Sequence, residues 1–305
     1  MKDFSEKKLI SKLQNHTKGV LCIIGAAFGF SVMSACVRLA GPDIPSVQKA
    51  FFRNFIALIV VSGIMIRRKI SPKPELRNLG YLFGRAFCGT VGLLCNFYAI
   101  DHLLLSDANM LNKLSPFFAI LLSVFILKEK PNAVQILGVA AALVGSVFIV
   151  KPGFENTELA ASLLGLLGGV GAGAAYTFVR KLGLRGENPT RIIFIFSAFS
   201  CLVCLPYIII HFKPMSRRET LFLVLSGFGA CIGQFGITKA YLFAPAKEIS
   251  VYDYTQVLFA ALLGFILFGQ IPDFYSVIGY ILICGAGIFM FIYNNSLNSQ
   301  KLHKA

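Results

Sequence analysis

Ten runs of about 20 mostly apolar residues, separated by short gaps, constrain this chain more than any other feature. A run of that length suits a helix crossing a bilayer: at about 1.5 Å per residue it matches a hydrocarbon core about 30 Å thick. Only a helix, or a closed barrel, satisfies its own backbone N–H and C=O groups there. The runs, numbered as spans one to ten, are 19 to 38, 47 to 66, 79 to 99, 105 to 127, 132 to 150, 161 to 181, 190 to 211, 219 to 243, 248 to 268 and 273 to 293. With 56% hydrophobic and 14% charged residues and a mean hydropathy of +0.72, the 305 residues fall outside the range of soluble globular domains. The expected fold class is all-α and integral to the membrane, with the lipid bilayer as its first partner.

The net charge of +15 does not point to nucleic acid, because the basic residues sit mostly in the gaps between apolar runs rather than on a soluble face. They set orientation instead. Lys2, Lys7, Lys8, Lys12 and Lys18 precede span one; Arg67, Arg68, Lys69, Lys73 and Arg77 follow span two. The alternate gaps carry far fewer, chiefly Lys151, Lys213, Arg217 and Arg218, so both termini are expected in the cytoplasm of a plasma-membrane protein. The N-terminal stretch, with Phe4, Leu9, Ile10 and Leu13 among lysines, is expected to lie on the anionic leaflet. All eight cysteines fall inside apolar runs, where cysteine acts as a small hydrophobe, and Cys201 and Cys204 lack the surroundings of a redox motif. Met33 to Cys36 resembles a lipoprotein cleavage site, but its run has a counterpart later in the chain and is read as a span.

That counterpart is part of a repeat. At an offset of 141 residues Gly92 meets Gly233, Ala99 meets Ala240, Lys113 meets Tyr254, Leu121 meets Leu262, Pro131 meets Pro272 and Gly138 meets Gly279. At 142, Val37-Arg38 meets Val179-Arg180 and Gly41 meets Gly183. Five spans per half is an odd number, so homologous halves must enter the membrane in opposite senses: two inverted five-helix repeats. The organisation is a basic N-terminus (1–18), a first repeat (19–151), a second (152–293) and a cytoplasmic tail (294–305).

The fourth span, in SDANMLNKLSPFFAILLSVFILKEK, and the ninth, in APAKEISVYDYTQVLFAALLGFILFG, resemble those of the EamA family of the drug/metabolite transporter superfamily, and the resemblance covers essentially the whole chain. Ala99, Pro116 and Glu129 match the family pattern in the first half; in the second, Gln270 stands where the closing acid would be. The resemblance implies a secondary transporter of small solutes.

A lysine near a helix centre costs roughly 2.5 to 3.5 kcal/mol on insertion scales and persists only with a partner, a wet cavity or a task. Lys113 is such a residue, and Asp253 enters span nine from the opposite face, so the repeat predicts that they meet and that substrate or a proton opens the pair. Asn112, Ser115, Tyr254 and Gln256 flank it. Arg85 shares a helical stripe with Gly89, Gly92 and Asn96, which reads as a cavity wall. Gln234 and Thr238 stand one turn apart in span eight, with Tyr241 below them, and serve either a substrate or a neighbouring helix. Tyr176 is placed to close one end of the cavity, one turn beyond the packing strip Gly165, Gly169 and Gly173. Arg53 is expected to snorkel or to pair with Asp43 at the surface, and Lys239 to snorkel.

A membrane enzyme would need clustered carboxylates or histidines; 14 acids and four histidines offer no such cluster, and no GxxxxGK[ST] loop points to ATP. A channel or scaffold stays open beside the carrier. The carrier reading favours a solute bearing a carboxylate, an amino acid or related metabolite, with a coupling proton (Asp253 or Glu248) or an exchanged solute as co-partner. No cofactor or metal is expected, and the chain is read as a monomer or homodimer.

Overall fold

The computed structural model describes residues 2–128, 131–151, 158–243 and 250–303. Glu129 and Glu248 lie outside the described residues, as do the side chains of Tyr241 and of residues 1–16. Among the described residues, ten helices are long and apolar enough to cross a membrane: Thr17–Leu39, Ser46–Arg67, Leu76–His102, Leu105–Ile126, Ala133–Val150, Leu159–Leu184, Pro189–His211, Arg217–Ala240, Val251–Phe268 and Phe274–Tyr293. They match the ten apolar runs to within a few residues. The chain is an all-α, multi-pass membrane protein of two inverted five-helix repeats.

Local chemistry explains several helix ends. Span five starts on a capping box: the Gln135 N–H donates to Asn132 Oδ1 (2.8 Å) and the Asn132 N–H donates to Gln135 Oε1 (2.9 Å), so two donors that the first turn would leave unpaired are satisfied. Span seven starts on Asn188, whose Oδ1 accepts from the Thr190 N–H (2.9 Å), with Pro189 in the first turn.

The repeat is visible in how helices touch. A Cβ built on Gly29 in span one would lie 2.9 Å from both Gly229 O and Gly233 N in span eight. A Cβ on Gly171 in span six would lie 2.9 Å from Cys88 O and Gly92 N in span three. These are the same contact made twice, once by each half, at positions related by the sequence offset. Spans one and eight, and six and three, approach backbone to backbone because these positions carry no side chain. Spans five and ten close on each other in the same way: a Cβ built on Gly279 would lie 2.7 Å from Gly145 O. The strip Gly165, Gly169 and Gly173 packs span six on span four, against Leu111 and Ser115 O.

Span four is not one helix. It runs Leu105–Asn112, turns at Lys113 and Leu114, and restarts as Ser115–Ile126. Pro116 causes the break: it has no N–H for the Asn112 carbonyl four residues back, and its ring crowds that carbonyl. Span nine has a matching junction, a 3-10 turn Ser250–Tyr254 followed by the α-helix Thr255–Phe268. Lys113 and Tyr254 occupy the same place in the two repeats, so both central arms change helical segment at the matched position. Interrupted helices at the repeat interface are where membrane carriers place their ligands.

Candidate functional site

A cavity of about 80 Å³ lies between the halves, lined from spans one to four and six to nine. Its polar lining is Arg53, Arg85, Asn96, Asn112, Tyr176, Gln234 and Gln256; Phe30, Met33, Leu93 and Phe196 supply much of the rest. A second cavity of about 40 Å³ shares Arg85, Tyr176 and Gln234 with the first and continues past Thr238 to Val179, Pro189 and Ile192, toward the face of the bundle that carries the N-terminus. Tyr176 therefore stands at the junction of the two spaces.

The two arginines dominate the site. Arg53 is 2% exposed and Arg85 is 4% exposed. Their guanidinium carbons lie 5.8 and 4.2 Å from the ring centroid of Phe196, so both cations converge on one aromatic ring in span seven. Such stacking contributes roughly 2 kcal/mol when desolvated, less than the cost of burying the charge. Arg85 reaches the ring by lying across Gly89, where a side chain would collide with Nη1. Arg53 donates from Nη1 to Asn54 Oδ1 (2.6 Å), and Asn54 in turn donates to Ser200 Oγ (2.8 Å) and Ala50 O (3.0 Å). A neutral amide thus orients Arg53 without neutralising it. Neither arginine forms an ion pair with a carboxylate of the described residues, and the Nε atom of each has no hydrogen-bond partner. Asn96 Oδ1 is likewise without a partner.

Arg53 therefore overturns its sequence expectation: it neither snorkels nor meets Asp43, because its position turns it inward to the cavity. Periodicity gives the depth of a residue along a span but does not say which way the helix is rotated. The pair Arg53-Asn54 inside an apolar run was the available signal. Phe196 gave none, being one phenylalanine among 29.

Lys113 Nζ and Asp253 Oδ2 are 2.5 Å apart, with side chains 3% and 4% exposed. They sit beside the cavity rather than in its lining. Asp253 Oδ1 has no hydrogen-bond partner, and Tyr176 lies within Coulombic reach of Asp253, Arg85 and Arg53. Tyr254 packs its ring against Gly287 of span ten, and Ser115 presents its carbonyl to Gly173; neither reaches the cavity. Asn112, Arg85, Asn96, Gln234, Tyr176 and Gln256 line it, and Thr238 lines the second space.

Gln256 is held by a network that the sequence did not reveal. Its Nε2 donates to Asn109 Oδ1 (2.6 Å), which also accepts from Ser34 Oγ (3.2 Å), while the Gln256 carbonyl accepts from Ser31 Oγ (2.9 Å). Spans one, four and nine are locked together at the arm junctions.

The face opposite the N-terminus is closed by polar ties between spans. Lys49 pairs with Asp101, which also accepts from Ser46 (2.9 Å); Arg38 donates to the carbonyls of Ile100 (3.1 Å) and Leu103. Asp107 accepts from Tyr280 Oη (2.6 Å) and Ser276 Oγ (3.2 Å), Gln270 Oε1 accepts from the Leu105 N–H (3.0 Å), and Lys151 pairs with Asp273. Gln270, in the place of the missing acid, thus caps the start of span four. On the N-terminal face, Glu187 accepts from Asn78 (2.9 Å) and Arg191 (2.5 Å), linking spans three and seven.

The sequence model described as the EamA-like transporter family matches residues 17–151 and 159–293. The chain is 34% identical over 272 residues to the pseudopaline exporter CntI of Pseudomonas aeruginosa, covering 88% of this chain and 94% of that one. It is 24% identical to a riboflavin transporter of Vibrio cholerae, over 84% and 86% of the two chains. Human solute carrier family 35 member G1 is 25% identical over 88% and 78%. A solved crystal structure 17% identical superposes with a TM-score of 0.63 over 92% of this chain and 99% of the other, which shows the fold.

Proposed function

Because the chain belongs to the EamA-like transporter family, we propose that it is a secondary transporter that moves a small carboxylate-bearing metabolite through the central cavity by alternating access. The observation that carries this reading is the pair of buried guanidiniums, Arg53 and Arg85, held over Phe196 with no carboxylate partner among the described residues. Two such charges deep in a membrane protein have a task, and planar guanidinium forks suit carboxylate oxygens. Asn96, Asn112, Gln234, Gln256 and Tyr176 supply neutral hydrogen-bonding groups around the acid.

The conformation fits one end state of the cycle. More of its polar ties lie on the face opposite the N-terminus, and its second cavity extends toward the N-terminal face. The Lys and Arg distribution favours termini in the cytoplasm of the plasma membrane, and on that reading this state faces inward. A cavity of about 150 Å³ accepts benzene, so the present 80 Å³ holds only a few heavy atoms and must widen to admit a metabolite. The Lys113–Asp253 pair, at the matched arm junctions, is where substrate or a proton would be coupled to movement of the arms. The relatives carry differently named cargoes, so the site's own chemistry guides the choice of solute.

The test is counterflow in proteoliposomes loaded with a cell metabolite extract, with mass spectrometry reporting which solutes leave when external extract is added. Saturable, trans-stimulated exchange of acids is expected. Flux that neither saturates nor responds to trans solute would make the protein a channel, and absence of flux for every solute would end the transport reading.

A further inference from the structure

The charge balance of the cavity says more about the cargo than the presence of arginines does. Among the described residues its lining holds two cations and no acid. The nearby acid, Asp253, is already matched by Lys113, so that pair is neutral as a unit and offers nothing to the arginines. Asn54 turns Arg53 into the cavity through a neutral contact, and Gly89 leaves room for Arg85 to lie flat on Phe196. Both guanidiniums thus face one small space with donors to spare, and each keeps an unpartnered Nε.

A ligand with one negative charge would satisfy one guanidinium and leave the other buried and unpaired, the situation in which a buried charge is most unfavourable. A zwitterion would do worse, since its ammonium would enter a space lined by two cations and no carboxylate. A ligand with two acidic groups lets each guanidinium take one carboxylate in a forked contact. We infer that the cavity recognises a small dianion, a dicarboxylate in the first instance, with one acid on Arg53 and the other on Arg85. This rests on the transport reading above and narrows its substrate class from a carboxylate to a pair of them.

The test uses the purified full-length protein and two probe series at equal pH and ionic strength: dicarboxylates of three to six carbons, and monocarboxylates of the same lengths. Binding is read as the concentration dependence of the thermal midpoint, because a ligand stabilises the state it binds. The expected result is that at least one dicarboxylate binds about tenfold or more tightly than its monocarboxylate counterpart, a difference of about 1.4 kcal/mol. Arg53→Gln and Arg85→Gln should each reduce that ratio to near one. The comparison of the two probe series is made on the unaltered protein, so it stands even where a variant fails to fold. Equal or tighter binding of monocarboxylates, or no binding of any dicarboxylate, overturns the inference. Trans-stimulated exchange of monoacids or neutral solutes alone would also overturn it while leaving the transport reading intact.

Discussion

Replacing Lys113 by Met should destabilise the protein by about 3 to 5 kcal/mol, because it leaves Asp253 buried with neither of its oxygens partnered. The magnitude follows from the geometry: the contact is 2.5 Å, both side chains are almost fully buried, and Asp253 Oδ1 already lacks a hydrogen bond, so Lys113 supplies its compensation. Asp253→Asn should be destabilising for the converse reason. The double variant Lys113→Met with Asp253→Asn removes both charges and should return to within about 1 kcal/mol of the parent, since replacing a whole buried pair is often neutral. Denaturant unfolding in bicelles, run as a double-mutant cycle, measures the coupling directly. Single variants within about 0.5 kcal/mol of the parent, or a double variant equal to the sum of the singles, would refute the pairing. Counterflow on the stable double variant then separates two roles. A pair that only fixes packing leaves exchange intact, whereas a pair that opens during the cycle leaves a stable protein that does not transport.

Gly29→Val and Gly171→Val each push a side chain into a neighbouring backbone at 2.9 Å and should cost about 1 to 3 kcal/mol each, by similar amounts because the contacts are repeat-related; unfolding midpoints decide, and a large difference between the two would break the symmetry argument. Tyr280→Phe deletes a donor to the buried Asp107 carboxylate and should loosen the closed face by about 1 to 3 kcal/mol, read as faster hydrogen exchange at the start of span four. Partial burial raises the Asp273 carboxyl, but the Lys151 ammonium and the Ser276 N–H outweigh it and hold its pKa below the usual 3.8. A depressed carboxyl stabilises the fold above the ordinary value and loses that contribution as pH falls through the lowered one. Lys151→Met should move the Asp273 titration upward, observable by infrared difference spectroscopy on isotope-labelled aspartate.

Much of the fold was written in the spacing of residues. Apolar runs gave the spans because length against bilayer thickness is a coarse, robust measure. The offset of 141 gave the repeat because Gly92 and Gly233 must be small for backbones to touch at Gly171 and Gly29. The same offset gave the two arms that bring Lys113 to Asp253. What escaped was rotation and breakage. Pro116 was read only as a match to the family pattern, because whether a proline in a membrane helix bends it or stops it depends on neighbours such as Gly173, which a single span does not contain. Arg53 was expected to reach the surface, and it turns into the cavity instead. Asn109 and Ser34 met through tertiary packing, for which neither span carries a pattern. The arginine stripe with Asn96 was legible because four residues at helical spacing share one face, and that face lines the cavity.

The account stands most directly on one cavity being reachable in turn from each side of the membrane. With the eight native cysteines replaced, Asn96→Cys places a thiol on the cavity wall, and membrane-impermeant thiol reagents can be applied to right-side-out and inside-out vesicles in turn. The predicted result is modification from both sides while the vesicles stay tight to a small reporter ion. Modification from one side alone, under every solute condition tried, would contradict alternating access and leave the two arginines without the role assigned to them.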